Sequence, residues 1–305
     1  MPSPPDPPTA SEFWVGFLLA VLGAILFSAK AIVVKLTYRY GVDPLTVIGF
    51  RMLLSLPFFA LIAVFQAGRA RRGRIPRLRP REGLQIIFLG CVGYYLSSLF
   101  DFIGLQSISA GLERLILFLS PTFVLLFTAY FFKRPIARRQ WIALAISYVG
   151  VTLVFLQDLS FSGSRVMVGS AFVMASALTY ALYLIGSGEL IQRVGSTRLV
   201  AYAMSVSSIA TLIHFFLVHG TQGLIQPEGV YQLSVFHAVV NTVIPVFMIM
   251  WAVARVGAPM TAQLGLIGPV SVLFLAAWIL DEPITALQLL GTAVALGGAL
   301  VLARR

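Results

Sequence analysis

Long apolar runs, separated by short polar or proline-containing links, account for most of the 305-residue chain. A helix needs about 20 mostly apolar residues to cross the hydrocarbon core of a membrane, and these runs reach that length. They are continuous rather than short and alternating, which excludes membrane-spanning strands. The predicted fold is an all-α integral membrane protein with ten transmembrane helices. The predicted helices are residues 13–37, 45–67, 84–105, 107–132, 139–157, 168–191, 199–218, 233–254, 259–280 and 284–303.

The chain repeats itself, without a gap, at a spacing of 148 residues. The anchor pairs are Pro121 and Pro269, Pro135 and Pro283, and Gly150 and Gly298. Six further positions between these anchors are identical. Because each half is predicted to cross the membrane five times, the second half is inverted relative to the first. Inverted repeats of this kind are typical of secondary transporters.

Proline dominates the first dozen residues, which contain too little apolar surface to fold. The predicted organisation is a disordered tail at residues 1–12, a first five-helix repeat at 13–157 and a second at 158–305. The longest links, about 68–83 and 218–232, are too short to form a separate domain. A non-transporting receptor or scaffold would need such a domain, so this class is disfavoured.

Composition supports the membrane assignment, with 59% hydrophobic and 11% charged residues. The net charge of +11 invites a nucleic-acid interpretation, but its distribution favours a topology signal. With the arginine-rich link at 69–81 on the cytoplasmic side, inner segments carry 16 Lys and Arg residues and outer segments carry three. We therefore predict a multi-pass protein of the cell inner membrane with both termini cytoplasmic, and no nucleic-acid partner. Binding of anionic lipid headgroups by the arginine cluster stays open.

Familiar catalytic chemistry has no support in the chain. Cys91 is the only cysteine, and His214, His219 and His237 lack the spacing of metal ligands. HExxH, GxSxG and GxxxxGK motifs are absent. We predict no metal, no cofactor and no enzyme activity. An integral-membrane enzyme acting on a lipid-linked substrate is retained as an alternative to a transporter.

The chain resembles the EamA family of the drug/metabolite transporter superfamily from about residue 13 to 303. The resemblance rests on the doubled segments LSPTFVLLFTAYFFKRP and IGPVSVLFLAAWILDEP and on the closing helices ISYVGVTLVF and VALGGALVLA. In this family an acidic residue usually precedes the proline of the turn; Glu282 keeps it, and Arg134 departs from it. The resemblance implies a ten-helix carrier of small organic metabolites, commonly amino acids and often exported, with a polar central cavity.

Five ionisable residues lie inside predicted helices of the first half. They are Lys30, Arg51, Asp101, Glu113 and Arg114. Counted from the outer ends of their helices, all five lie within about 6 to 11 Å of the outer boundary, in one layer. Such residues are costly in hydrocarbon and usually face a cavity or a partner.

Two interpretations of this layer compete. It is either an ion-pair network that locks the first four helices together, or a gate and anchor for a substrate carboxylate. The positions 148 residues later, Ile249, Thr261 and Ala262, are uncharged, so the layer is a specialisation of the first half. Proton coupling through Asp101 or Glu113 is a further possibility that the sequence leaves open.

A second candidate set consists of aromatic and amide side chains near the middle of predicted helices. These are Tyr94, Tyr180, Tyr183, Asn241 and Gln263. A polar group at this depth prefers a cavity or an interhelical hydrogen bond. The alternative is that the tyrosines fill gaps between helices. Family resemblance, rather than spacing, places them around the central cavity.

Pro121 and Pro269 occupy equivalent places past the middle of their helices. A proline inside a helix removes a hydrogen bond and tends to bend it. The pair is predicted either to act as hinges for alternating access or only to shape helix packing. The leading interpretation of the whole chain is a secondary transporter of small organic metabolites, with membrane lipids around it and an undetermined oligomeric state.

Overall fold

The computed structural model describes residues 10–133, 135–256, 260–261 and 264–303. Within these ranges the chain is helical and contains no strand. The helices are α1 (Ala10–Ser28), α2 (Lys30–Tyr38), α3 (Pro44–Arg71), α4 (Pro80–Gly90), α5 (Ser97–Leu105), α6 (Ala110–Leu117), α7 (Ser120–Phe132), α8 (Arg138–Ser162), α9 (Arg165–Val194), α10 (Ser196–His219), α11 (Glu228–Ala238), α12 (Ile244–Val256), α13 (Ile267–Leu280) and α14 (Ala286–Ala303). A short 3₁₀ turn, Gln222–Leu224, precedes α11.

Eight helical segments of the described residues are long and apolar enough to cross a membrane, from Ser11–Tyr38 to Glu228–Val253. Two shorter apolar helices follow, at Ile267–Leu280 and Ala286–Val301. The all-helical membrane class predicted from the sequence is therefore confirmed. The first helix begins at Ala10, inside the segment expected to be a disordered tail, and Glu12 lies in its first turn, where a carboxylate is favourable.

Several long helices are interrupted where the site will form. The helix at Ser11–Tyr38 breaks at Ala29, between α1 and α2. The third and eighth predicted helices each contain a π-helical turn, at Cys91–Leu96 and Val239–Val243. A π turn inserts an extra residue into the helix and is frequent at functional sites.

Backbone features recur at the spacing of the sequence repeat. The two π turns begin 148 residues apart, although their sequences, CVGYYL and VVNTV, share little. Lys133 and Asp281, also 148 residues apart, are the two non-glycine residues with positive φ in the described chain, at 51° and 59°. Each ends a helix, α7 or α13, in a left-handed conformation. Backbone geometry thus repeats even where side chains have diverged.

The last helices of the two halves, α8 and α14, pack closely through glycines. A Cβ placed on Gly298 would lie 2.6 Å from the carbonyl oxygen of Ala143. A Cβ on Gly150 would meet the carbonyl of Gly291. The two contacts are equivalent by the sequence repeat, because Gly298 corresponds to Gly150 and Gly291 corresponds to Ala143. Small residues permit such close approach of membrane helices.

Polar contacts tie helix ends together at both ends of the bundle. We call the two the Glu282 end and the Arg-rich end. The Glu282 end contains the ion pair Lys35–Glu282 (2.8 Å) and a contact between His219 Nε2 and Asp43 Oδ2 (3.3 Å). The Arg-rich end contains the ion pair Glu82–Arg193 (2.8 Å) and a hydrogen bond from Arg198 to the Pro76 carbonyl (2.7 Å). The basic link at residues 69–81 lies at the second end.

Candidate functional site

A buried ion cluster joins three helices of the first half. Lys30 is the first residue of α2, directly after the break at Ala29. Its ammonium pairs with Asp101 Oδ2 of α5 and lies 3.4 Å from Glu113 Oε1 of α6. The carboxylate side chains are 2% and 0% exposed, respectively. One ammonium is therefore shared by two carboxylates in a site removed from solvent.

The carboxylates of this cluster are incompletely satisfied. Neither oxygen of Glu113 has a hydrogen-bond donor among the described residues, and the same is true of Asp101 Oδ1. A buried charged group without hydrogen bonds is expensive unless something else supplies them. These oxygens can accept hydrogen bonds from the ammonium or hydroxyl groups of a small molecule.

Two arginines flank the cluster. Arg51 donates from Nε to Thr242 Oγ1 at 3.0 Å, and its guanidinium lies 5.7 Å from the centre of the Phe102 ring. Arg114 lies 5.8 Å from the centre of the Phe27 ring, and its Nε has no acceptor among the described residues. Among the described residues, no carboxylate lies within 4.0 Å of either guanidinium. Both can therefore bind an added anionic group.

The second half contributes a glycine that permits close helix packing, as well as the Thr242 hydroxyl that accepts from Arg51. A Cβ on Gly268, in α13, would lie 2.5 Å from Ser28 Oγ and 3.0 Å from Arg114 Nη2. Glycine at this position lets α13 approach the cluster closely. Because Thr242 and Gly268 both belong to the second half, the site lies between the two halves.

The predicted tyrosines lie beside the arginines. Tyr94, in the first π turn, donates its hydroxyl hydrogen to the hydroxyl of Tyr183 at 3.3 Å, and their ring centres are 4.7 Å apart. Tyr180 stacks on Tyr183, with ring centres 5.9 Å apart. Tyr94 also packs against the apolar cluster that contains Phe102, the ring over which Arg51 lies. The aromatic set and the ion cluster therefore adjoin.

Asn241 connects the second π turn to the first helix. Its Nδ2 donates to the carbonyl of Leu26 at 2.5 Å, one turn before Lys30. Its Oδ1 has no donor among the residues described. Asn241 thus makes an interhelical hydrogen bond close to the break that presents Lys30. Gln263, the remaining amide candidate, lies outside the described residues.

Known proteins match this arrangement over nearly the whole chain. The sequence model of the EamA-like transporter family matches twice, over residues 14–156 and 167–304. The chain belongs to the EamA-like transporter family. It is therefore a multi-pass membrane transporter of small molecules, and the family assignment made from the sequence is confirmed. The family points to transport rather than to enzyme activity.

Named relatives of this EamA-like transporter are also transporters. Uncharacterized transporter YcbK of Bacillus subtilis (strain 168) is 30% identical over 92% of this chain and 90% of its own length. The "probable terminal-alkyne amino-acid exporter" of Streptantibioticus cattleyicolor is 25% identical over 88% of this chain and 87% of its own. The "probable amino-acid metabolite efflux pump" of Escherichia coli (strain K12) is 26% identical over 92% of both chains. A solved crystal structure aligns with 96% of both chains at 16% identity and a TM-score of 0.61, and so shares the fold.

Sequence reasoning about this transporter missed His237. The His237 ring stacks on Phe102, with centres 5.7 Å apart and planes 17° apart, and its Nε2 has no partner among the described residues. Metal-ligand spacing tests only for a metal, so it gave no signal. The useful signal is that His237 precedes Asn241 by four residues, which places both on one helical face.

The two predicted hinge prolines lie at helix starts rather than inside continuous helices. Pro121 is in the first turn of α7, after a break at Phe118 and Leu119. Pro269 is in the first turn of α13. Proline costs no hydrogen bond in a first turn, so the expected mid-helix kink is replaced by a helix boundary.

Glu282, the acidic residue of the family turn, caps the helix that carries Glu113. Its Oε2 accepts from the backbone N–H of Ala110 at 3.1 Å, and its Oε1 accepts from Lys35 Nζ at 2.8 Å. A carboxylate is favourable at a helix N-terminus because it accepts from unpaired N–H groups. Arg134, in the matching turn of the first half, lies outside the described residues.

Proposed function

We propose that this protein exports amino acids, or closely related amino compounds, by alternating access across the cell inner membrane. The observation that carries the proposal is a buried site holding carboxylate oxygens without donors beside arginines without carboxylate partners. A zwitterion satisfies both sets at once. Two of the relatives are named as amino-acid exporters, which supports the same substrate class.

The substrate is expected to bind in a defined orientation. Its ammonium group binds Glu113 and Asp101, competing with Lys30 for their oxygens, and its carboxylate binds Arg114 and Arg51. Tyr94, Tyr180, Tyr183 and Asn241 line the space for the side chain. Opposite charges offered from fixed positions favour a zwitterion over a simple anion or cation.

The proposed architecture is ten transmembrane helices in two inverted repeats, residues 13–157 and 158–305, after a tail at residues 1–12. The recurring π turns, the paired left-handed residues and the double family match support it. The Arg-rich end is placed in the cytoplasm by the positive-inside rule, with both termini there. Reporter fusions at Gly73, Gly163 and Gly220 test this: the first must report cytoplasm and the other two the exterior.

Alternating access needs movable boundaries between helices, and the breaks before Pro121 and Pro269 are the proposed hinges. The competing role is helix packing alone. Pro121→Ala with Pro269→Ala would join α6 to α7 and extend α13. Normal turnover in reconstituted vesicles would assign the prolines to packing, whereas slowed turnover with unchanged substrate affinity supports hinges.

Glu113 and Asp101 are also the proposed route for proton coupling. The groups facing Glu113 are Lys30 from α2, Asp101 from α5 and the neighbouring Arg114. A proton bound to Glu113 on one side of the membrane can be exchanged for the substrate ammonium on the other. An imposed pH gradient should therefore drive export by wild type and not by Glu113→Gln. An unchanged response in Glu113→Gln and in Asp101→Asn would contradict both proton coupling and substrate binding at these carboxylates.

A thermal-shift and transport screen in detergent and in vesicles tests the function directly. Amino acids, sugars and small organic cations are compared, and an amino acid is expected both to stabilise the protein and to be transported. Glu113→Gln should abolish stabilisation by the amino acid. The matched control is Glu82→Gln, which removes another buried carboxyl group, paired with Arg193 at 2.8 Å at the Arg-rich end. Stabilisation that survives in Glu113→Gln would assign the cluster to a structural network.

A further inference from the structure

A second polar cavity opens at the Glu282 end, apart from the ion cluster. Its volume is about 690 Å³, within the range of pockets that hold small molecules. It lies where the end of α2, the start of α6, the end of α8 and the starts of α9 and α14 meet. The lining includes Lys35, Gln157, Asp158, Arg165, Glu282 and Gln288.

The charges that line this cavity are balanced but only partly paired. Lys35 and Glu282 form an ion pair at 2.8 Å. Asp158 uses Oδ2 to accept from the backbone N–H of Ser109 at 3.0 Å, and its Oδ1 receives no donor from the described residues. Arg165 is exposed and has no carboxylate of the described chain within 4.0 Å. One carboxylate and one guanidinium thus face the same cavity without pairing with each other.

A buried amide adds a third unsatisfied group to the cavity wall. Gln157 is 7% exposed, and its Oε1 accepts from Thr285 Oγ1 at 2.6 Å, which fixes the orientation of the amide. Its Nε2 has no acceptor among the residues described. A buried amide donor left unpaired costs free energy, so it favours a ligand that brings an acceptor.

The first turn of α6 separates this cavity from the ion cluster. Ala110, at the start of that turn, binds Glu282 on the cavity side. Glu113, three residues later, faces Lys30 on the cluster side. The residues that line the cavity do not include Lys30, Asp101 or Glu113, so the cavity and the ion cluster are built from different side chains.

We propose that this cavity is an external binding site for a zwitterionic amino compound, separate from the central site. The ammonium group binds Asp158, and the carboxylate binds Arg165 and the Gln157 amide. The inference deepens the proposed function, because it rests on the substrate class and the orientation proposed above. Its consequence for an exporter is that released substrate pauses outside the α6 turn before it leaves.

Labelling of an engineered cysteine tests the site without measuring transport. Ser107 lines the cavity, and Cys91 is the only native cysteine. Ser107→Cys in a Cys91→Ser background is labelled on intact cells with a membrane-impermeant charged thiosulfonate, in the presence of each standard protein amino acid. The best-protecting amino acid is then compared with its decarboxylated amine and its deaminated acid. We expect protection by the amino acid and little by either analogue.

Variants locate the protection. Arg165→Gln and Asp158→Asn should each raise the half-protecting concentration by about 10-fold or more, since each removes a charged hydrogen-bonding partner. Glu82→Gln, at the Arg-rich end and outside both sites, should leave protection unchanged. Thr221→Cys, exposed in another link at the Glu282 end, should be labelled without protection by any amino acid.

The outcomes separate this inference from the proposed function. Protection that persists in Arg165→Gln and Asp158→Asn, or no protection by any amino acid, overturns the external site. Labelling of Ser107→Cys only from the cytoplasmic side also overturns it. Vesicles that transport amino acids while protection is absent would retain the proposed function and reject this site. Protection without amino-acid transport would retain the site and reject the proposed export of amino acids.

Discussion

The third helix of the first half and its counterpart in the second half have the same interruption but different chemistry. Both contain a π turn, beginning at Cys91 or Val239. Ten residues after these starts the first helix presents Asp101 to the cluster, whereas the second presents Ile249 against Gly23 of α1. The repeated backbone is the scaffold, and the charge is added on one side only.

This difference assigns separate roles to the two halves at the site. The first half supplies all five charged side chains, which are Lys30, Arg51, Asp101, Glu113 and Arg114. The second half supplies neutral partners: the Thr242 hydroxyl, the Asn241 amide and Gly268, whose missing side chain lets α13 pack against Ser28 and Arg114. A charged substrate would therefore bind mainly to the first half, and the second half would move relative to it during transport. Removing charge from the first half should have larger effects than altering the second.

Lys30→Met is expected to have the largest effect. It leaves Asp101 and Glu113 buried without their shared cation, and breaking a buried ion pair in this way costs about 3–5 kcal/mol. The expected result is poor folding and a lowered melting temperature in detergent. The measurement is thermal unfolding of the purified variant against wild type.

A triple variant that neutralises Lys30 and its two carboxylate partners distinguishes structure from function. Lys30→Met combined with Asp101→Asn and Glu113→Gln removes both the cation and its partners, so folding should largely recover. Transport should not recover, because the substrate-binding oxygens are changed. A triple variant that folds and transports at the wild-type rate would show that the cluster serves packing alone.

Arg114→Met should come next, with affinity reduced about 10- to 100-fold, the range expected for loss of a charged hydrogen bond. The matched control is Arg198→Met at the Arg-rich end. Arg198 is also buried, lies over an aromatic ring at 5.5 Å and has an Nε without a partner among the described residues. Arg198→Met should lower stability without changing amino-acid affinity. Equal losses of affinity in both variants would contradict a substrate role for Arg114.

Much of this comparison could be anticipated from sequence, because it depends on spacing. The apolar runs predict the helices, and the 148-residue interval that Pro121 and Pro269 share with the other matched pairs predicts the repeat. Five charged residues in otherwise apolar helices are equally visible, since hydrocarbon makes each one costly. Their pairing was not determined, because it depends on which faces of packed helices meet.

Other features of the site leave little trace in sequence. A π turn depends on tertiary packing, and CVGYYL and VVNTV share no motif that marks one. The helix boundaries at the prolines are similarly hidden, because proline is compatible with either a kink or a first turn. His237 was overlooked because its partner, Phe102, is distant in the chain and adjacent only after folding.

Gly268→Ala should have a smaller effect that originates in the second half. The new methyl group would lie 2.5 Å from Ser28 Oγ and 3.0 Å from Arg114 Nη2, so the arginine must shift. Overpacking of this kind costs about 1–3 kcal/mol, and here we expect it as weakened substrate binding in thermal-shift titrations. Gly297→Ala is the control, since a Cβ there meets no atom within 4 Å. Gly297→Ala should leave binding unchanged and gain up to about 1 kcal/mol of stability. Normal substrate affinity in Gly268→Ala would show that α13 does not contribute to the site.

The smallest effect is expected at the N-terminus of α3, the second transmembrane helix of the first half. Its counterpart in the second half is α10, and the two helices differ in how their N-termini are capped. Asp43 accepts from the backbone N–H groups of Leu45 and Thr46 at 2.8 and 3.1 Å, whereas α10 begins after Gly195 with no side-chain cap. Burial alone raises the pKa of Asp43, but these hydrogen bonds and the nearby His219 outweigh it and hold the pKa below its usual value.

A lowered pKa means that Asp43 stabilises the fold above its unfolded-state pKa of about 3.9 and loses this contribution as the pH falls through the folded value. Asp43→Ala should therefore cost about 1 kcal/mol at neutral pH and little in strong acid. Asp43→Asn keeps a capping oxygen, so its stability at neutral pH should lie between those of wild type and Asp43→Ala. Melting temperatures of the three proteins across the acid range measure the difference. A pH-independent gap between wild type and Asp43→Ala would show that the aspartate stabilises α3 by packing, and that charge at this end of the first half contributes nothing.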